Sequence, residues 1–177
     1  MPTEPPTRRQ FLVKDLDERT LRNLTLGSVV PRPIAWVGTV SPEGIRNLAP
    51  FSFFNAVSSE PPQLVLGMSI RNSRPKDSLV NIRSTQELTV SMVPYELVEA
   101  MNITSSTVDS DIDELQLADV ESVTGKFVAA PMPAHSPVSM ECKLIDIRSL
   151  GDDTDENLYA LVLAKILVFH IRLDLVN

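Results

Sequence analysis

The chain has 177 residues, 43% hydrophobic and 22% charged, which is the composition of one globular domain with a sizeable core. Sixteen Lys and Arg against 23 Asp and Glu give a net charge of −7, which argues against a protein that coats nucleic acid or an anionic membrane. The single cysteine, Cys142, excludes an internal disulfide and any multi-cysteine metal or iron–sulfur site. The most apolar run, 158–173, is broken by Lys165, His170 and Arg172, so it does not read as a membrane span. We therefore expect a one-domain cytoplasmic protein.

The N-terminal residues 1–14 are rich in proline and charge, and they are predicted to form a flexible tail before a domain at 15–177. The first predicted element of that domain is a short helix from Asp15 to Leu26. Leucines recur along it, its first turn is acidic, and Gly27 is expected to end it.

Strands are predicted where apolar residues alternate with polar ones or where β-branched residues cluster. Six runs have this character: residues 34–40, 45–57, 63–70, 87–93, 138–150 and 158–175. The turn Ser41–Gly44 joins the first two runs, because Pro42 presets φ at its second position and Gly44 closes it. Pro50 marks a sheet edge or a bulge in the second run.

Two further short helices are predicted between these strands. One begins at Asp77 or Ser78, either of which can cap it, and turns Leu79 and Ile82 inward. The other begins near Pro94. Mostly antiparallel strands with short turns favour a barrel or sandwich over a doubly wound sheet, so the predicted class is mainly β with short helices.

The residue types that usually carry catalysis are scarce in this chain. His135 and His170 lie on different segments and match no metal-ligand spacing, so no metal site is predicted. His170 is interpreted as a satisfied core or edge histidine, and Cys142 as a buried packing residue. The chain has no GxSxG, GxxxxGK[ST] or GxGxxG motif. The sequence therefore does not support a nucleophile-elbow active site, a P-loop or a Rossmann dinucleotide site. No catalytic side chain is predicted.

One loop gathers positive charge in this acidic protein. Arg71, Arg74 and Lys76 lie directly before the predicted helix start at Asp77. Cationic side chains and free backbone N–H groups at a helix start suit a phosphate. A solvated loop with ordinary surface charges accounts for the same residues equally well.

Upstream of this loop, residues 47–55 (NLAPFSFFN) bring aromatic, small and amide side chains together. The segment is either a core strand with an irregular middle or a strand that binds a ligand. In the second interpretation, Pro50 disrupts the backbone pairing, and the unpaired N–H and C=O groups contact a flat heteroaromatic ligand.

These segments stand in an order that resembles a known family. The pieces are 32–37 (RPIAWV), 47–55, 61–62 (PP), 76–82 (KDSLVNI), 99–102 (EAMN), 113–115 (DEL) and 136–142 (SPVSMEC). Together they resemble the flavin reductase-like family of FMN-binding split barrels, which includes flavoredoxin, from about residue 32 to residue 170. The resemblance implies a homodimeric split β-barrel with FMN near the dimer interface.

The resemblance also implies which residues bind the cofactor. One strand would meet the isoalloxazine ring, largely through backbone groups: Ala49, Pro50, Phe51, Ser52, Phe53 and Asn55. A second group would hold the phosphate end, in agreement with the charge pattern: Ser69, Arg71, Lys76, Asp77 and Ser78. Trp36 would lie close to the ring or serve in the core, and Asn102 would line the pocket.

The flavin would then supply the chemistry by accepting hydride at N5, so no side chain is needed as acid or base. The implied activity is an NAD(P)H-dependent flavin reductase, which can serve a partner oxygenase or another electron acceptor. The alternatives are an FMN-holding electron carrier and a split barrel with another ligand, as in the pyridoxamine phosphate oxidases. Relatives often carry Gly-Asp-His where residues 151–153 read Gly-Asp-Asp.

Overall fold

A computed structural model of the chain describes residues 7–71, 74–151 and 157–176. The side chain of Arg71 and the acidic segment 152–156 lie outside the described part. The chain divides into two compact units, Met1–Arg32 and Pro33–Asn177. Among the described residues, no helix is both long and apolar enough to cross a membrane.

The N-terminal unit contains a 3₁₀ turn, Val13–Asp15, and helix α1, Glu18–Ser28. Asp17 caps α1, because its carboxylate accepts hydrogen bonds from the backbone N–H and the hydroxyl of Thr20 at 2.9 and 2.7 Å. The predicted bounds of this helix, Asp15 to Leu26, are wrong at both ends. The helix continues through Gly27, and the guanidinium of Arg32 bonds the Leu26 carbonyl near its C-terminus at 2.6 Å.

The second unit is built on an antiparallel sheet of eight described strands. These strands are β1 Ala35–Val40, β2 Arg46–Phe51, β3 Phe54–Ser59, β4 Pro62–Arg71, β5 Arg74–Pro75, β6 Glu87–Ser91, β9 Val138–Leu150 and β10 Asn157–Ile171. They pair in the order β2-β1-β6-β9-β10-β4-β3, and β5 pairs with β4. A small second sheet pairs β7, Ser122–Thr124, with β8, Pro131–Pro133. The helices are α2 Asp77–Thr85, α3 Val98–Ile103 and α4 Glu114–Leu117. The predicted class, mainly β with short helices, is confirmed.

The predicted strand 45–57 is two strands, β2 and β3, which lie at opposite edges of the sheet order. Only Ser52 and Phe53 separate them, so the sheet must curve until its two edges meet. The Phe53 carbonyl accepts the Gly67 N–H at 2.7 Å at this corner. Pro50 lies in the edge strand β2, as predicted.

Strand β6 is buried on both faces, although apolar and polar residues alternate along it. Thr89 and Ser91 can be fully buried because the hydroxyl of each has a hydrogen-bond partner. The Thr89 hydroxyl donates to the Pro131 carbonyl at 2.5 Å, and the Ser91 and Ser139 hydroxyls are 2.7 Å apart.

The main core lies between the sheet and α2, whose Leu79 and Ile82 are fully buried as predicted. Cys142 is also fully buried, and burial raises the pKa of its thiol to about 12, so it is an inert packing residue. His170 bonds the buried carboxylate of Glu141 at 2.7 Å, as expected for a satisfied histidine. A smaller cluster packs Trp36 against Leu48 and Leu115.

Candidate functional site

A cleft of about 190 Å³ opens beside strand β2, the end of β4 and the start of α2. The hydroxyl-rich segment 104–108, which follows α3, also lines it. The lining residues are Asn47, Ala49, Pro50, Phe51, Ser69, Arg74, Pro75, Lys76, Asp77, Ser78, Thr104, Ser105, Ser106, Thr107, Val108 and Glu114.

Both predicted halves of the ligand site meet in this cleft. From the predicted ring-binding strand come Ala49, Pro50 and Phe51. From the predicted phosphate-binding group come Ser69, Lys76, Asp77 and Ser78. The two groups are separated in sequence by β3 and most of β4, so only the fold places them side by side.

Other residues of the predicted site do not line the cleft. The indole of Trp36 is fully buried in the small core cluster, and its Nε1–H donates to the Thr104 hydroxyl at 2.9 Å. Trp36 is therefore a core residue that supports a wall of the cleft. Phe53, at the corner after β2, packs edge-on against Tyr159 with ring centroids 5.9 Å apart.

Ser52, Asn55 and Asn102 also lie outside the cleft lining. Asn55 is exposed, and its side-chain oxygen accepts the N–H of Ala56 at 2.9 Å. The carbonyl of Asn102 accepts the Ser105 N–H at 3.1 Å and so shapes the turn that enters the hydroxyl-rich segment. The predicted contacts of these residues, and of Arg71, with a cofactor stay predictions.

The free edge of β2 forms one wall of the cleft. The Leu48 N–H points away from β1 and donates to Glu114 Oε2 at 3.3 Å. Backbone groups alternate in direction along an antiparallel strand, so those of Pro50 point the same way. Because proline has no N–H, the edge presents a carbonyl acceptor there and no donor.

A buried polar network ties this edge to the start of α2. Asn47 Nδ2 donates to Glu114 Oε1 at 2.6 Å, and Asn47 Oδ1 accepts the Ser78 hydroxyl at 2.7 Å and the Thr39 hydroxyl at 3.1 Å. Asn81 Nδ2 donates to the Thr39 hydroxyl at 3.1 Å. Every member is bonded, so the network fixes the geometry of the cleft floor.

Helix α2 begins differently from the prediction. The N-cap position is Lys76, which makes no side-chain cap bond, so neither Asp77 nor Ser78 is the cap. The Ser78 hydroxyl is instead engaged by Asn47. The first N–H groups of α2, like those of any helix, lack an intrahelical acceptor, and no side chain caps them. The helix begins at the wall of the cleft, so these donors lie beside it.

Among the described residues, the charges that line the cleft balance one another. Arg74 and Lys76 are cationic, and Asp77 and Glu114 are acidic. Burial raises the pKa of Glu114 above its ordinary value, the hydrogen bond from Asn47 opposes that rise, and the nearby Asp77 charge adds to it. One of the two acids that line the cleft, Glu114, therefore binds a proton more readily than an ordinary glutamate.

The predicted site did not include Asn47, Arg74, Glu114 or the hydroxyl-rich run 104–107. That run reads Thr-Ser-Ser-Thr, which is a local signal for a polar binding wall. Glu114 gives no such signal, because its burial results from contacts with β2, which lies far away in sequence.

A larger hollow of about 430 Å³, lined in part by Leu115, contains none of the predicted site residues. Arg46 on its rim is already paired with Asp113, with Nη2 and Oδ2 2.6 Å apart. His135, also on the rim, lies 3.4 Å from a carboxylate oxygen of Glu121. Among the described residues there is no cluster of three or more possible metal ligands.

The chain is similar to known proteins in both sequence and structure. Residues 26–176 match the family described as "Flavin reductase like domain". An uncharacterised protein of Aquifex aeolicus is 46% identical over 136 residues, which are 76% of this chain and 69% of that protein.

Two solved structures are similar over most of both chains. Nitrilotriacetate monooxygenase component B from Bacillus cereus has a TM-score of 0.93 at 26% identity, covering 98% of this chain and 86% of that one. The 2-nitrobenzoate 2-nitroreductase of Pseudomonas fluorescens has a TM-score of 0.83 at 28% identity, covering 96% and 79%. With its curved antiparallel sheet and its match over residues 26–176, the chain belongs to the flavin reductase-like family of split β-barrel flavoproteins.

Proposed function

We propose that the protein is an FMN-binding flavin reductase that transfers hydride from NAD(P)H to the flavin. The observation that carries this proposal is the cleft in which seven of the predicted cofactor-binding residues meet, in a chain of this family. When bound, FMN supplies the redox chemistry through its ring. The protein's residues bind it, orient it and limit its contact with water.

The cationic end of the cleft fits the phosphate. The basic residues Lys76 and Arg74 line it together with Ser69. The uncapped first turn of α2 adds backbone N–H donors and a favourable dipole. The hydroxyls of Ser106 and Thr107, in the run that lines the cleft, can donate to phosphate oxygens, whereas those of Thr104 and Ser105 already donate to the Met101 and Asn102 carbonyls. The predicted contribution of Arg71 is part of this proposal.

The β2 edge fits one face or rim of the ring. Ala49 and Phe51 give apolar surface, and the Pro50 carbonyl can accept a hydrogen bond from the imide N–H of a flavin. A volume of about 190 Å³ is smaller than the roughly 300–1,000 Å³ that encloses a ligand of this size. The cleft of one chain therefore holds part of the cofactor and leaves part of the ring outside it.

A second copy of the chain would complete that site, so we propose a homodimer. Apolar side chains on β9 and β10 are unusually exposed, and exposed apolar patches mark interaction surfaces. Their exposed fractions are 46% for Ile145, 38% for Tyr159, 39% for Leu167, 52% for Phe169 and 42% for Ile171.

The electron acceptor that we propose is an oxygenase or another protein of the cytoplasm. The similar structure from Bacillus cereus is named as one component of a monooxygenase, which supports an oxygenase partner. The second candidate function is an FMN-holding electron carrier, which the same cleft accommodates without a nicotinamide donor.

One experiment separates these candidates. FMN is added to the purified protein, binding is followed by flavin fluorescence, and oxidation of NADH and NADPH is followed by absorbance. Binding with steady, FMN-dependent oxidation is the expected result. Binding without oxidation favours the carrier, and a protein that does not bind FMN contradicts both.

A further inference from the structure

Glu114 is a buried carboxylate on the wall of the cleft, with 6% of its surface exposed. It accepts hydrogen bonds from Asn47 Nδ2 at 2.6 Å and from the Leu48 N–H at 3.3 Å, which are both neutral donors. Among the described residues no cation pairs with it within 4.0 Å. An unpaired buried charge of this kind is costly, which distinguishes it from the paired acid beside it, Asp113.

The charged groups around Glu114 come from each neighbouring element. The start of α2 brings Asp77 and Lys76, and β5 brings Arg74. Arg46 of β2 is engaged by Asp113, with Nε and Oδ2 2.7 Å apart. The segment 104–108 carries no titratable side chain. Among the described side chains, Arg74 and Lys76 thus offset Asp77 and Glu114, and a bound phosphate adds a charge of about −1.5 to −2, which exceeds the single positive charge proposed for Arg71.

We propose that a ligand carrying a phosphate group enters this cleft together with a proton that Glu114 takes up from solvent. Protonation removes one negative charge from the wall of the cleft that receives the phosphate, so Glu114 is a specificity-determining residue that sets how strongly phosphorylated ligands are preferred. This inference rests on the proposed function and adds to it a proton-coupled, pH-dependent affinity. Phosphate-free ligands gain nothing from the protonation.

The hydrogen-bond network around Asn47 allows Glu114 to be protonated without a change in the geometry of the cleft. The carbonyl oxygen of a protonated carboxyl still accepts from Asn47 Nδ2, and Asn47 is also held through its Oδ1 by Ser78 and Thr39. The bond lost or weakened is the longer one, from the Leu48 N–H. A glutamine keeps the same carbonyl acceptor, so Glu114→Gln imitates the protonated state.

The test measures the affinities of FMN and of riboflavin, which lacks the phosphate, for the wild-type protein and for Glu114→Gln. At about pH 8, two units above the second pKa of the phosphate at about 6, we expect the variant to bind FMN about five- to tenfold more tightly. Riboflavin affinity is expected to stay unchanged. The FMN affinity of the wild type should fall with rising pH more steeply than that of the variant, since titration of the phosphate is common to both. Glu43→Gln, at an exposed carboxylate in the turn after β1, is the control and should behave as wild type.

A second measurement needs no variant and covers the case in which Glu114→Gln does not fold. Calorimetry of FMN binding in two buffers of different ionisation enthalpy at about pH 8 should show net proton uptake by the wild type. Equal changes for FMN and riboflavin in the variant, no change for either, or no proton uptake would each overturn the inference and leave flavin binding standing. Failure of the wild type to bind FMN overturns the proposed function, and this inference with it.

Discussion

Lys76 occupies the N-cap position of α2 and lines the cleft, but its side chain makes no cap bond. Its charge is therefore not needed for the helix, and its position suits a ligand anion. Lys76 can be predicted from the sequence because a cation before a helix start is a local pattern. Glu114 cannot, because a glutamate with ordinary sequence neighbours gives no sign that it will be buried.

We predict that Lys76→Ala weakens FMN binding by about 1.5–2 kcal/mol, since a charge-assisted bond to the phosphate is lost. Riboflavin binding is expected to change little. Arg83→Ala removes the same charge from the exposed far end of α2 and is the matched control. Fluorescence titration of both flavins measures the effect, and an unchanged FMN affinity would refute this placement of the phosphate.

Glu141 is the second residue whose burial was not foreseen. Its fully buried carboxylate accepts from the backbone N–H groups of Lys126, Phe127 and Val128 at 3.0, 2.6 and 2.9 Å, and from His170. Burial by itself would raise the pKa of Glu141, but these hydrogen bonds outweigh it and lower the pKa from 4.5 to about 2.

Because the folded pKa of Glu141 is depressed, its stabilising contribution is complete above pH 4.5 and is lost as the pH falls toward 2. We predict that Glu141→Gln destabilises the protein by about 3 kcal/mol at neutral pH and reduces the loss of stability between these pH values. Urea unfolding at several pH values measures both effects. Parallel stability curves for the two proteins would contradict the assignment.

At the scale of elements, strand β1 shows how the small second sheet is attached. An added Cβ at Gly38 would lie 2.1 Å from the Pro131 carbonyl oxygen and 2.5 Å from the Thr89 hydroxyl oxygen. The obstructing carbonyl belongs to β8, so it can retreat only if β8 moves away from β1 and β6. The absence of a side chain at Gly38 is therefore a packing requirement.

We predict that Gly38→Ala destabilises the protein by about 3 kcal/mol or more, because the overpacking involves backbone. Gly27→Ala is the contrasting substitution, since nothing lies within 4 Å of its added Cβ and it sits within helix α1. It should be neutral or stabilise by up to about 1 kcal/mol. Thermal unfolding distinguishes the two, and equal melting temperatures would show that β8 is not held against β1.

Helix α2 and strand β2 also show the limits of element prediction. Leu79 and Ile82 were assigned to the inner face correctly, because helical periodicity is local. The break between β2 and β3 at Ser52 and Phe53 was missed, because both halves have strand character and differ only in their partners, β1 and β4.

At the scale of the whole molecule, the cleft of about 190 Å³ is too small to enclose the flavin that we propose for it, and β9 and β10 expose apolar side chains. We predict that the wild-type protein sediments as a dimer and that Phe169→Glu, at a position 52% exposed, shifts it toward monomer and weakens FMN binding. Phe127→Ser, 53% exposed but outside these strands, is the control. A wild-type monomer with full FMN affinity would contradict the proposed dimer.

The sequence by itself determined the β class, the turn Ser41–Gly44, the inner face of α2 and the cationic approach to Asp77. These features depend on propensity, periodicity and charge among neighbouring residues, and the turn is closed by a Gly44 N–H bond to the Ser41 carbonyl at 2.9 Å. Only the tertiary structure decided that the sheet curves between β2 and β3, and that Asn47 meets Glu114 across 67 positions of the chain. Burial and hydrogen-bond partners come from such distant contacts, so the charge balance of the cleft could not be read from local sequence.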